Sequence, residues 1–104
     1  MTVGVPLGRD LSLTIEGRLG TRSVQLSCSP VFGTHPRAAD ACAALYPAQG
    51  DPARVGPTWM GCARVYDPTT ASATGTWDGQ YIQYRRTFSN ECDMHAATGP
   101  VFEF

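Results

Sequence analysis

Lysine is absent from this chain of 104 residues. Its eight basic residues are all arginine, and nine acidic residues bring the formal net charge to −1. Apart from the pair Arg85-Arg86 the arginines are scattered. No basic stripe exists to hold nucleic acid or an anionic membrane surface, so neither partner is expected. No apolar run is long enough to span a bilayer. The start, MTVGVPLGRD, lacks a charged region followed by an apolar one. No signal peptide is therefore expected in this chain, which reads as a mature form with an added Met1 or as a cytosolic protein. Repeats and low-complexity tracts are missing too. The length suits one domain around one modest core.

Close cysteine pairs are also missing. Cys28, Cys42, Cys62 and Cys92 are widely spaced, which argues against a zinc ribbon or finger. An even count in a small chain fits two disulfides and hence an oxidising compartment, with three pairings open. Four paired cysteines leave no thiolate nucleophile. The two histidines, His35 and His95, lie in neither a GxSxG nor an HExxH context, and both read as surface residues. Asp51, Asp67 and Asp78 each adjoin Pro or Gly, as turn residues do, and no calcium-loop spacing occurs. The expectation is a protein that is not an enzyme and holds no metal and no cofactor.

What is there is alternation. Leu11, Leu13 and Ile15 face one way and Ser12, Thr14 and Glu16 the other, the pattern of a half-buried strand. Residues 1–10 lack a pattern and read as a flexible arm, with the domain spanning 11–104. After a turn at Gly17 to Gly20, Val24, Leu26 and Cys28 share a face of a second strand. SPVFGTHP reads as irregular, with Thr34 as a helix cap ahead of Pro36. In PRAADACAALY, Ala38, Ala41, Cys42 and Leu45 recur at helical spacing up to Pro47. A short helical piece is expected around Pro52 to Val55. SATGTWDGQYIQYRRTF reads as a hairpin turning at Asp78-Gly79, with Ile82, Tyr84 and Phe88 on one face. SNECDMHA suits a short helix capped by Ser89 or Asn90, and the terminal VFEF suits a strand. The sum is an α+β fold: an antiparallel sheet of about five strands in two layers with two helices.

One stretch fits neither a helix nor a clean strand: GCARVYDP, residues 61–68. Cys62 ties it down and Arg64 sits at its tip between Gly61 and Pro68. A serine protease binds its substrate as an extended segment, and an arginine suits a specificity pocket floored by an aspartate. A loop already held in that form loses less conformational freedom on binding. If it is cut, a disulfide keeps the new ends together. The stretch reads as substrate-like bait, too stiff to be cut usefully.

These residues carry a resemblance. GTHP at 33–36, the AC step at 41–42, C-x-x-VYDP from Cys62 to Pro68, G-x-W from Gly75 to Trp77, FSNEC at 88–92 and the VFEF ending are together specific. From about Leu11 to Phe104 the chain resembles the Streptomyces subtilisin inhibitor family of secreted protease inhibitors. The resemblance implies a five-stranded antiparallel sheet with two helices on one face, and disulfides Cys28–Cys42 and Cys62–Cys92. It implies a reactive-site loop of Gly61, Cys62, Ala63, Arg64, Val65, Tyr66 and Asp67. The scissile bond would be Arg64–Val65, with Arg64 choosing the enzyme and Val65 following the cut. Asn90 would support the loop from behind, donating to carbonyls on both sides of the bond. The partners implied are a trypsin-like or subtilisin-like serine protease and a second copy in a homodimer, and the location is extracellular. Two departures stand out. Ala63 replaces the proline often found before the specificity residue, and Gly61 replaces a large apolar residue, which points to trypsin ahead of subtilisin. Inhibition of metalloendopeptidases, and a secreted binding module of the same fold without inhibition, are the alternative functions.

Overall fold

The computed structural model describes residues 8–104. Five strands form one antiparallel sheet: β1 (Arg9–Gly17), β2 (Gly20–Cys28), β3 (Val31–Gly33), β4 (Thr69–Trp77) and β5 (Gln80–Phe88), in the spatial order β3-β2-β1-β4-β5. Helices α1 (Ala38–Leu45) and α2 (Glu91–Thr98) complete the α+β fold.

The period-2 pattern decides which face of the sheet is covered. Leu11, Leu13, Ile15, Leu26, Ala71, Ala73, Ile82, Tyr84 and Phe88 point inward, together with Met94 of α2 and Ala41, Cys42 and Leu45 of α1. Each of the fully buried leucines and isoleucines stabilises the fold by about 1.5–3 kcal/mol. The outer face is polar and bonded to itself: Ser12 Oγ donates to Gln25 Oε1, and hydroxyls pair between Thr14 and Ser23 and between Thr70 and Thr87. At the β4–β5 turn Asp78 and Gly79 both have positive φ, 51° and 85°, as the hairpin reading requires. Gly75 lies against β1, where a Cβ would stand 2.0 Å from the Asp10 carbonyl oxygen, so no other residue fits.

Several expectations need correction. Strand β1 begins at Arg9, so Arg9 and Asp10 belong to the sheet and not to an arm; the rest of that expectation, residues 1–7, lies outside the described residues. Arg9 is no free surface charge. Its guanidinium lies 5.2 Å from the Trp77 ring centroid and 5.1 Å from that of Tyr46, and it donates to the Asp78 carboxylate at 2.9 and 3.1 Å. The fifth strand is not VFEF but β3, inside SPVFGTHP. Gly33 makes that pairing possible, because a Cβ there would stand 2.2 Å from the Gln25 carbonyl oxygen. Thr34 extends this pairing instead of capping α1: its N–H donates to Gln25 O and its hydroxyl accepts from Gln25 N, both at 2.9 Å.

The chain end is a 3-10 turn, Gly99–Phe102. Pro100 has no N–H for a ladder. Val101 and Phe102 are consecutive yet both fully buried, which an alternating strand cannot achieve. His35 holds this turn. It is buried, its Nδ1 accepts from Arg37 N at 2.9 Å, and its Nε2 therefore donates to Val101 O at 2.8 Å. His95 is half-buried and bonds Phe102 O at 3.3 Å, so neither histidine is the surface residue that its local sequence suggests.

Candidate functional site

The segment 61–68 has no regular secondary structure, and most of its residues are exposed. Every backbone tether comes from α2 or its lead-in. Asp67 N donates to Ser89 O at 2.7 Å, and further upstream Thr58 N donates to Ala96 O at 2.7 Å. The Cys62–Cys92 disulfide adds a covalent link to the first turn of α2. The other bond, Cys28–Cys42, joins the end of β2 to α1.

Asn90 stands behind the loop. Its Nδ2 donates to Val65 O at 2.7 Å and to Ala63 O at 3.4 Å. Its Oδ1 accepts from Asp93 N at 2.8 Å and so caps α2. One amide therefore fixes a helix end and the carbonyls on either side of Arg64. No acid could do both, because the loop needs a donor and the helix an acceptor. Within the loop, Val65 N donates to Ala63 O at 2.9 Å, a tight three-residue turn with Arg64 at its apex. Arg64, Val65 and Tyr66 are exposed. The loop thus presents side chains outward while its backbone is held from within.

Of the seven residues expected in the loop, Cys62, Ala63, Arg64, Val65 and Tyr66 line one groove with Asn90, while Gly61 and Asp67 flank it. The sequence reading missed the clamp on the far side. Arg18 in the β1–β2 turn pairs with Asp67 at 3.4 Å, and Arg22 in β2 pairs with Glu91 in the first turn of α2. No local signal marks these arginines, since their partners are 49 and 69 residues away. It also left Trp59 without a role, although its side chain is 90% exposed beside the loop.

The subtilisin inhibitor-like family model matches residues 9–90, which include Cys28, Cys42 and Cys62, the loop and Asn90. This chain belongs to that family. It is 46% identical over 87 residues to subtilisin inhibitor-like protein 1 of Streptomyces cacaoi, covering 80% of this chain and 79% of that one. It is 45% identical over 85 residues to a subtilase-type protease inhibitor of Streptomyces coelicolor, covering 80% of this chain and 59% of that one. Among solved structures it resembles Streptomyces caespitosus sermetstatin in complex with Bacillus licheniformis subtilisin. There the TM-score is 0.73 and the identity 32%, over 91% of this chain and 97% of that one. These relatives are protease inhibitors, not enzymes.

Proposed function

We propose that the chain is a standard-mechanism serine protease inhibitor whose reactive-site loop runs from Gly61 to Asp67 and whose scissile bond is Arg64–Val65. One observation carries this reading: Arg64 is exposed at the apex of a turn whose flanking carbonyls are both held by the Asn90 amide. A protease docking on Arg64 meets a backbone already held in place, so little ordering entropy is lost. After cleavage, Asn90 and Cys62–Cys92 hold both new ends in place, and religation competes with release. The guanidinium directs the loop mainly to trypsin-like enzymes with an acidic specificity pocket. Subtilisin is the second target, supported by the subtilisin-bound relative. Two disulfides suit an extracellular setting. The outer face of the sheet, which carries no helix among the described residues, is the surface for a homodimer.

The test is a titration of active-site-calibrated trypsin, with subtilisin and chymotrypsin in parallel, for the wild-type chain and Arg64→Glu. Stoichiometric loss of trypsin activity, slow cleavage between Arg64 and Val65, and loss of inhibition in the variant are expected. Rapid cleavage as a plain substrate, or no inhibition, would overturn the reading. Light scattering on the same samples reads the dimer, and a monomer mass at micromolar concentration removes it.

A further inference from the structure

Just before the loop stands a large exposed side chain that Arg64 does not account for, Trp59. Gly61 offers no side chain at the fourth position before the proposed scissile bond. Cys62 N donates to Met60 O at 2.9 Å, which turns the chain sharply at Gly61. Residues 59 and 60 therefore fold back alongside the loop instead of continuing its line. The Trp59 indole lies over the glycine: its Cη2 is 3.9 Å from where a Gly61 Cβ would stand. It is 90% exposed, whereas Trp77 is buried at 4%.

Trp59 stands with exposed Met60, Val65 and Tyr66 at the loop, and a cluster of apolar side chains of this kind, unlike one exposed residue alone, marks an interaction surface. Trp is enriched among residues that dominate binding energy, because it buries a large rigid area at little entropic cost. Its position, continuous with the loop on the side that precedes Arg64, names the occupant. We infer that Trp59 is a specificity-determining residue, and that its indole fills the apolar subsite of the protease that a side chain at Gly61 would otherwise enter. This rests on the inhibitor reading and changes its consequence. Gly61 no longer leaves that subsite empty, so proteases with an apolar far subsite gain affinity from Trp59.

The experiment compares wild type, Trp59→Ala and Trp59→Phe against subtilisin and trypsin, with melting temperatures for each. Trp59→Ala is expected to weaken subtilisin inhibition by about thirtyfold, the loss typical of a dominant anchor, and trypsin inhibition by less. Trp59→Phe should restore part of it. Melting should not change, since the side chain packs on no core. In wild type labelled with 5-fluorotryptophan, the fluorine resonance of Trp59 should shift on complex formation while that of Trp77 stays. If wild type inhibits but Trp59→Ala inhibits subtilisin equally well, or the Trp59 resonance does not move, the inference is overturned and the inhibitor reading stands. A wild type that inhibits neither enzyme overturns both.

Discussion

Asn90 uses both ends of its amide, which makes its two roles separable. Asp is as good a helix cap as Asn, so Asn90→Asp should leave α2 capped and the melting temperature nearly unchanged. A carboxylate, however, turns two donated hydrogen bonds into repulsion against the Val65 and Ala63 carbonyls. The longer bond, 3.4 Å, is the weaker of the two. Together they hold the loop by about 1–2 kcal/mol, so the variant should inhibit about tenfold less well and be cut faster at Arg64–Val65. Asn90→Ala should add the lost cap, lowering stability by about 1 kcal/mol. Thermal melts and cleavage rates on both variants check this; cleavage of Asn90→Asp at the wild-type rate, or a melting loss as large as that of Asn90→Ala, would refute it.

At the scale of elements, α2 is the pedestal and the sheet is its floor. The helix is only eight residues long, too short to persist alone in water. Its packing on β4 and β5 and its covalent link to the loop hold it in place. The two disulfides thus have different consequences despite similar energetics. In the chain-entropy model Cys28–Cys42, with 14 residues of separation, and Cys62–Cys92, with 30, contribute about 3 and 3–4 kcal/mol. Replacing Cys28 and Cys42 by Ser should lower the denaturation midpoint and leave inhibition intact at a temperature where the chain is folded. Replacing Cys62 and Cys92 should lower the midpoint similarly and also convert the chain toward a substrate. Urea melts beside inhibition assays distinguish the two, and matching inhibition losses in both double variants would count against the pedestal.

For the whole molecule, ionisation bounds stability at both ends of the pH scale. Hydrogen bonding from Arg9 holds the Asp78 carboxyl below its ordinary value of 3.8. The stability it contributes is present above that value and is lost as pH falls through the depressed one. This pair is solvent-exposed, so its effect is small. Burial pushes the Tyr84 hydroxyl up from 10.0. Its contribution is full below pH 10.0 and is lost as pH rises beyond it, because the unfolded chain ionises first. Melting temperatures between pH 9 and 11 (about one unit either side of the ordinary tyrosine value) should fall more steeply for wild type than for Tyr84→Phe. Parallel curves would show that the ring is not the cause.

The sequence by itself determined four of the five strands, both helices and the tip of the loop. Period-2 alternation at Leu11 to Ile15, helical spacing at Ala38 to Leu45 and the turn chemistry of Asp78-Gly79 are local properties, set by side-chain direction and allowed φ. The loop was legible because Cys62, Arg64 and Pro68 stand close together, and the resemblance extended that reading to Asn90. Only the tertiary structure decided the rest. His35 looks like a surface residue until the Val101 carbonyl arrives from the C-terminal turn to accept a hydrogen bond from its Nε2. VFEF has the β-branched and aromatic residues of a strand, but Pro100 and the need to bury Val101 and Phe102 together make it a turn. The clamp of Arg18 on Asp67 and the indole of Trp59 over Gly61 depend on where the chain turns back on itself. Such contacts are set by packing between distant or folded-back segments, and no local pattern of residues encodes them.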